Sequence, residues 1–151
     1  MANTQAMTTS FKSEIMAGIH ALGTSVVRAG TGADTVKAAI YLASATVNAA
    51  TTAYSVTDEA SGSGYSAGGV TVTNAVVPTS TGTTAFWTPS ANITYTTVTL
   101  ATAFDAVLIY NSTQSNKAIS VHTFGSQTIT AGTFTLTMPT NDASTGLLRI
   151  A

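Results

Sequence analysis

The sequence predicts a mainly β fold, an antiparallel sandwich or barrel-like arrangement with the jelly roll as one option, and one short N-terminal α-helix. Two observations lead to this prediction. Short runs of alternating apolar and polar residues recur at nearly regular spacing, and Gly, Pro and Asn separate them. Threonine, a β-branched residue that favours strands, occurs about thirty times. We therefore interpret residues 1–151 as a single domain whose β-rich part covers residues 35–151.

The longest run of strand-forming residues without glycine or proline is Ile93–Asn111. Its apolar side chains fall at odd positions as far as Tyr95 and at even positions from Val98 onward. Because side chains alternate between the two faces of a strand, a strand changes phase only through a bulge or a bend. We place that bulge at Thr96 and Thr97.

The second half of this run predicts the centre of a sheet. Residues 106–110 are apolar at every position, as expected of a strand that is covered on both faces. If Asp105 lies at a turn between two strands, it caps backbone N–H groups there. The polar residues 112–116 predict a hairpin connection to the next strand, and Gly125 with Ser126 predicts a further turn.

Further strands follow from the alternation of apolar residues. We predict them at residues 36–42, 69–77, 83–88, 127–131, 133–138 and 147–150. The first is expected to bury one face only, and the last is expected to pair at the edge of a sheet. Residues 58–69 are the densest in glycine and predict a loop, whereas residues 44–54 fit either a strand or a loop.

The N-terminal region predicts an arm followed by a helix. Residues 1–7 are small and polar without a pattern, which favours a flexible or partner-ordered arm. Residues 8–23 have helical spacing, with Thr9 or Ser10 as the N-cap and Gly23 at the C-terminal end. The helix carries an apolar stripe that consists of Phe11, Ile15, Ile19 and Leu22. We expect the stripe to pack on the chain's own sheet or, alternatively, to dock on a neighbouring subunit.

Charged side chains are scarce. Asp, Glu, Lys and Arg make up 7% of the residues, against roughly 25% in typical soluble domains, and the formal net charge is −1. Five scattered basic residues cannot form the positive patch that phosphate contacts require, so we expect no nucleic acid partner. Little charged surface has to be desolvated when such a protein self-associates, and we therefore expect a homo-oligomer.

Cysteine is absent, which excludes disulfides, a thiol nucleophile and thiolate metal ligands. The sequence shows no basic-then-apolar leader and no apolar run near the roughly 20 residues that span a bilayer. We expect a protein that is made in the cytoplasm and has no membrane partner.

A hydrolase triad would need a nucleophile, a base and an orienting acid. Serine and threonine are abundant, so the informative residues are the two histidines, His20 and His122. No GxSxG nucleophile elbow accompanies them, and we interpret both as structural. We predict no catalytic residues and no enzyme activity.

Asp58 and Glu59 form the only adjacent pair of acids and precede the glycine-rich loop. Carbonyl groups of that loop could join them around Ca²⁺, but the regularly spaced oxygen ligands of an EF-hand are missing. The loop also lacks the lysine and the following helix of a phosphate-binding loop. We expect no metal and no cofactor.

Six segments together resemble small virion proteins encoded by tailed bacteriophages: FKSEIMAGIH, VKAAIYLASA, GSGYSAGGVTVTNA, TAFWTPSANITYTTVTLATAFDAVLIYN, NKAISVHTFG and AGTFTLTMPTNDASTGLLRIA. The likeness covers nearly the whole chain and lies in the style and order of the segments. It implies a structural protein located in the virion, most specifically a capsid decoration or cement protein that binds the shell of major capsid protein or other virion proteins. A tail or head-to-tail connector component is the alternative within this class.

Residues of the helix stripe and Arg149 are the candidates for contacting such a partner. A different class remains open, a carbohydrate- or receptor-binding module in which Tyr65, Trp87 or Tyr95 would stack on sugar rings. An exposed Trp87 would favour that module, whereas a buried one is part of the core. An enzyme would require His20 or His122 close to both a hydroxyl and an acid in a pocket.

Overall fold

The computed structural model describes residues 2–16, 18–23 and 32–151. Within these ranges the chain forms one short helix and eight strands. In chain order they are β1 (Ala6–Met7), α1 (Thr9–Met16), β2 (Val36–Leu42), β3 (Val70–Val72), β4 (Thr79–Thr81), β5 (Thr84–Trp87), β6 (Ile93–Asn111), β7 (Lys117–Leu136) and β8 (Leu148–Ile150).

The strands form two sheets, and every pairing in them is antiparallel. The larger sheet has the order β1-β7-β6-β2-β3 and the smaller one the order β4-β5-β8. Trp87 and Leu148 of the small sheet share one hydrophobic core with Ile40 and Ile109 of the large sheet and with Phe11 of α1. This sandwich-like arrangement confirms the predicted mainly β, antiparallel fold with one short N-terminal helix.

The opposite face of the large sheet is also covered. Ala39 and Tyr41 of β2 and Leu108 of β6 pack in a second cluster with Ala45 and Val47, which follow β2 in the chain. Strand β2 therefore buries both faces and not the single face that its alternation predicted. Alanine and tyrosine are tolerated on either kind of face, so the sequence pattern of β2 did not reveal the second cover.

Strands β6 and β7 form one long hairpin. Residues 112–116 make the turn between them, as predicted. The predicted bulge is also confirmed, because the pairing register shifts between Tyr95 and Val98 and Thr97 has a φ of 54°.

The predicted turn at Gly125 and Ser126 is wrong. Strand β7 runs through both residues and continues to Leu136. Between the paired residues Thr123 and Gln127 the register shifts, so the extra residues form a bulge. Glycine occurs in bulges as well as in turns, and composition alone does not separate the two.

Two other expectations along the chain differ from the structure. Asp105 lies inside β6 and not at a turn, and its carboxylate accepts a hydrogen bond from the side-chain amide of Asn3 at 2.5 Å. The strand predicted at 69–77 is limited to β3. Residues 44–54, for which a strand or a loop was expected, form turns and irregular backbone with one isolated bridge, from Ala53 to Lys117.

The N-terminal segment is not a free arm. Ala6 and Met7 form β1 and pair with Val121 and Ser120 of β7. Before them, the backbone N–H of Thr4 donates to the carbonyl of Val47 at 3.0 Å. A strand of two residues is too short to produce an alternating pattern, which is why the sequence did not predict it.

Helix α1 is also shorter than the predicted 8–23. Thr8 is its N-cap in place of Thr9 or Ser10, because the Thr8 hydroxyl accepts a hydrogen bond from the backbone N–H of Phe11 at 3.3 Å. The Thr8 hydroxyl also donates to the carbonyl of Ala118 at 3.0 Å, which fixes the start of the helix on β7.

The helix terminates at a Schellman motif. The N–H of Gly18 donates to the carbonyl of Ile15, and the N–H of Ile19 donates to that of Glu14, both at 3.0 Å. Gly18 has the positive φ of 66° that this motif requires. Gly18, and not Gly23, is therefore the glycine that ends the helix.

Candidate docking cavity

The predicted apolar stripe is divided by the early end of α1. Phe11 and Ile15 lie on the helix, whereas Ile19 and Leu22 lie in the segment that follows it. Phe11 is buried, with 1% of its surface exposed, and Ile15 and Leu22 are partly buried against the main core. The stripe packs on the chain's own sheets, which was the first of the two expectations.

Three residues of the stripe line a cavity between the helical region and the small sheet. The cavity has a volume of about 620 Å³. Its walls are apolar and come from α1 and the segment after it, from the chain before β4, and from β5 and β8: Phe11, Ile15, Gly18, His20, Ala21, Leu22, Val77, Pro78, Ala85, Phe86, Trp87, Leu148 and Ile150.

The lining of this cavity includes exposed apolar side chains. Val77 is 43% exposed and Ile150 is 46% exposed. Among the described residues, the other large hydrophobic side chain with comparable exposure is Val56, which does not line the cavity. Exposed apolar groups that cluster around a concave site mark a surface that can bind a partner or ligand.

His20 is a polar side chain in the cavity wall, and each of its two ring nitrogens has a hydrogen-bonding partner. Its Nε2 lies 2.8 Å from Oε2 of Glu14, and its Nδ1 lies 3.1 Å from the amide nitrogen of Asn111. A neutral ring with its proton on Nε2 satisfies both contacts, since it donates to Glu14 and accepts from Asn111. Phe11 packs edge-on against the same ring, with 4.7 Å between centroids.

Glu14 is buried beside His20, and its second partner, Lys117, is partly exposed. Its other oxygen, Oε1, lies 2.5 Å from Nζ of Lys117 on β7. Burial alone would raise the pKa of Glu14, but the hydrogen bonds from Lys117 and His20 outweigh it and lower that pKa. Burial lowers the pKa of His20, and the nearby Glu14 carboxylate only partly offsets this. The ion pair of Glu14 with Lys117 therefore connects α1 to the large sheet beside a neutral histidine.

Asp34 extends this network to the segment that lines the cavity. Its Oδ2 accepts hydrogen bonds from the backbone N–H of Ala21 at 2.7 Å and from the amide of Asn111 at 2.8 Å. Its Oδ1 accepts one from the amide of Gln114 at 3.2 Å. Sequence reasoning missed Asp34 and Asn111, because nothing in their local spacing indicates that they meet.

Arg149, the fifth candidate contact residue, points elsewhere. It is exposed on β8, and its guanidinium donates to the carbonyl of Ser144 at 2.5 Å. Asp142 organises the same loop by accepting hydrogen bonds from the N–H groups of Ser144 and Thr145, both at 2.7 Å. Arg149 thus braces the loop before β8 and does not line the cavity.

The two histidines each have part of a catalytic arrangement. His20 contacts an acid and an amide, whereas Nε2 of His122 lies 2.9 Å from the hydroxyl of Ser120. Among the described residues, neither histidine has both the hydroxyl and the acid that a triad requires. Burial lowers the pKa of His122 to about 4, so its ring is neutral near pH 7.

The two adjacent acids at the glycine-rich loop differ in exposure. Asp58 is exposed, whereas the Glu59 carboxylate is buried and accepts hydrogen bonds from the hydroxyls of Tyr54 and Tyr65 and from the N–H of Gly68. These three donors occupy positions around the carboxylate oxygens that a cation would need. Within the described ranges no group of three or more His, Cys, Asp or Glu side chains is placed to hold a metal ion.

The glycines of this loop have a packing role. A Cβ at Gly62 would lie 1.9 Å from the carbonyl oxygen of Thr99, and one at Gly69 would lie 1.7 Å from that of Ala38. The backbone of the loop therefore lies in direct contact with the backbones of β2 and β6. This close approach explains the high glycine content of the loop.

The aromatic residues proposed for sugar stacking are not displayed on the surface. Trp87 and Tyr95 are each 2% exposed, and Nε1 of Trp87 donates to the carbonyl of Val76 at 2.9 Å. Tyr65 is half-buried and uses its hydroxyl on Glu59. A carbohydrate-binding module was expected to expose Trp87, so the burial of Trp87 disfavours this alternative.

The chain matches no known family model, no curated protein sequence and no solved structure. The one helix in the described part of the chain, α1, is too short to cross a bilayer.

Proposed function

We propose that this chain is a structural protein of a bacteriophage virion, most specifically a capsid decoration protein, and that it docks on the major capsid protein through the apolar cavity. The observation that carries the proposal is the exposure of Val77 and Ile150 in the wall of that cavity. The sequence resemblance supplies the virion class, and the cavity supplies a surface suited to a protein partner.

The physical case for docking rests on desolvation. Burying the exposed part of an apolar side chain contributes roughly 25 cal/mol per Å² of surface removed from water, and the described residues of the cavity wall include no charged group that would lose hydration in return. His20 does not add such a cost, because Glu14 and Asn111 already satisfy its ring nitrogens. An apolar side chain of the shell protein is the complementary group.

The low net charge of the chain also supports a decoration role. A protein present in many copies on one shell must avoid strong repulsion between neighbours. With a formal net charge of −1, adjacent copies of this chain repel one another only weakly.

Electron cryo-microscopy of purified particles from a host expressing the chain in its native context tests the virion assignment. Hundreds of copies arrayed over the shell are expected. A ring of six or twelve copies at one vertex would assign the chain to the connector or tail, and its absence from the particle would overturn the proposal.

A binding experiment tests the docking surface separately. Particles lacking the chain are mixed with purified wild-type protein or with Ile150→Asp, and occupancy is measured after sedimentation of the particles. Ile150→Asp should reduce occupancy, because it places a charge in the apolar cavity wall. Val56→Asp is the matched control, since Val56 is 66% exposed and lies outside the cavity lining. Equal occupancy of both variants would exclude the cavity as the docking surface.

A further inference from the structure

The outer edge of β7 is paired over only part of its length. At its N-terminal end, residues of β1 pair with Ser120 and Val121, and Ala53 bridges to Lys117. From His122 to Leu136, the described residues supply no strand on the side of β7 opposite β6. A row of backbone N–H and C=O groups is therefore open to another strand.

This edge lacks the charges and prolines that natural proteins place on open edges. Between Lys117 and Asp142 the chain has no Asp, Glu, Lys or Arg. The one proline in this interval is Pro139, which follows the end of β7. The bulge at Ala131, with a φ of 47°, interrupts the strand. Residues 132–136 beyond it form the end of β7, and the one register shift along them comes from the bulge at Thr96 and Thr97 on the partner strand β6.

The two faces of this run differ. Phe134 is buried against Tyr95 and Phe104, whereas Thr133 and Thr135 are exposed on the opposite face. At this end of the large sheet, beyond the second core cluster, an added strand would therefore extend one packed face and one hydroxyl-bearing face. Threonines placed opposite one another on such a sheet form favourable cross-strand pairs.

We propose that residues 132–136 pair antiparallel with the same residues of a second copy of this chain, about a two-fold axis. A second copy is the indicated occupant because an edge without charge is compatible with itself, and because a two-fold contact uses the same surface on both molecules. The pairing joins two five-stranded sheets into one. It is independent of the cavity, to which none of these residues belongs.

Cysteine crosslinking tests the pairing directly, since the natural chain contains no cysteine. In this pairing residue 133 lies opposite residue 135 of the second copy, so Thr133→Cys and Thr135→Cys are made singly and then mixed, with Thr83→Cys in the exposed turn between β4 and β5 as the control. After mild oxidation, the mixture of the two β7 variants should form a covalent dimer on a non-reducing denaturing gel, whereas either variant alone should form much less and the control should remain monomeric.

The oligomeric state of the wild-type protein gives the second measurement. Sedimentation velocity should show a dimer, and Thr135→Lys should raise the dimer dissociation constant by about tenfold or more, because the two introduced like charges would lie at diagonal positions across the two-fold axis, within about one Debye length of each other. Thr83→Lys should leave that constant unchanged.

A wild-type monomer at every soluble concentration, with no crosslinking in the mixture of the two β7 variants, would overturn the proposal. If that monomer also lost particle binding on Thr135→Lys, the edge would belong to another virion protein and the second copy would still be excluded. Should Thr135→Lys fail to fold, the crosslinking result decides alone.

Discussion

The hydroxyl of Tyr65 donates a hydrogen bond to Oε1 of Glu59 at 2.7 Å. The same hydroxyl accepts one from the backbone N–H of Ile40 at 3.0 Å, so a single side chain joins the glycine-rich loop to β2. Burial is the main cause that raises the pKa of Tyr65, and its contact with Glu59 raises it further. Tyr65 therefore stays protonated as a donor, and Glu59 is the acceptor on which the loop depends.

Glu59→Gln should destabilise the protein by about 1–3 kcal/mol, because an amide NH₂ would replace one of the two oxygens that accept hydrogen bonds at this buried site. Chemical denaturation measures the free energy of unfolding. Asp58→Asn is the control, since Asp58 is exposed, and it should change that free energy by less than about 0.5 kcal/mol. Equal effects of the two changes would contradict the role given to Glu59.

Leu108→Ala should cost roughly 2–5 kcal/mol of unfolding free energy, because Leu108 is fully buried in β6 and its truncation leaves a cavity in the second core cluster. Val56→Ala, at a site that is 66% exposed, provides the comparison and should be nearly neutral. A loss well under 1 kcal/mol for Leu108→Ala would mean that the two-sided burial of the large sheet is incorrect.

Gly62→Ala and Gly125→Ala separate close packing from backbone strain, because neither glycine has a positive φ. The new methyl group at position 62 would meet the carbonyl of Thr99, whereas at position 125 nothing lies within 4 Å. Gly62→Ala should therefore destabilise by about 1–3 kcal/mol or more, and Gly125→Ala by much less. Thermal unfolding of the two variants side by side checks this difference.

His122 should make stability depend on pH. Its folded pKa of about 4 lies below the unfolded value of about 6.5, so the unfolded chain takes up the proton first as the pH falls. The contribution is fully present above about pH 6.5 and is lost towards pH 4, by up to about 3 kcal/mol. His122→Gln should flatten the unfolding free energy across this interval relative to the wild type. Parallel pH profiles for the two proteins would show that His122 is not buried as a neutral ring.

The spacing of apolar residues was sufficient to predict features that lie within a single strand. The phase change around Thr96 predicts the bulge because it depends only on the spacing of apolar residues within β6. The apolar run at 106–110 predicts a central strand for the same reason. Both features are properties of one segment.

Long-range contacts were not predictable from the sequence. Thr8 caps α1 while it also bonds to Ala118, and Asp34 meets Asn111 only because β2 and β6 are neighbours in the sheet. The cavity likewise combines Leu22 with residues of β8, which no local pattern connects. The stripe was identified as an apolar surface, but its division by the end of the helix depends on Gly18.

The position of β1 has a consequence for how the chain folds during synthesis. Thr8, directly after β1, bonds to a residue of β7 that lies 110 positions later in the chain. At a synthesis rate of about 5–20 residues per second, the N-terminal segment leaves the ribosome on the order of ten seconds before its partner strand exists. Sheets closed by such distant contacts form slowly, because a long loop must be ordered before any contact stabilises it. Completion of the large sheet is therefore a late folding event that requires nearly the whole polypeptide.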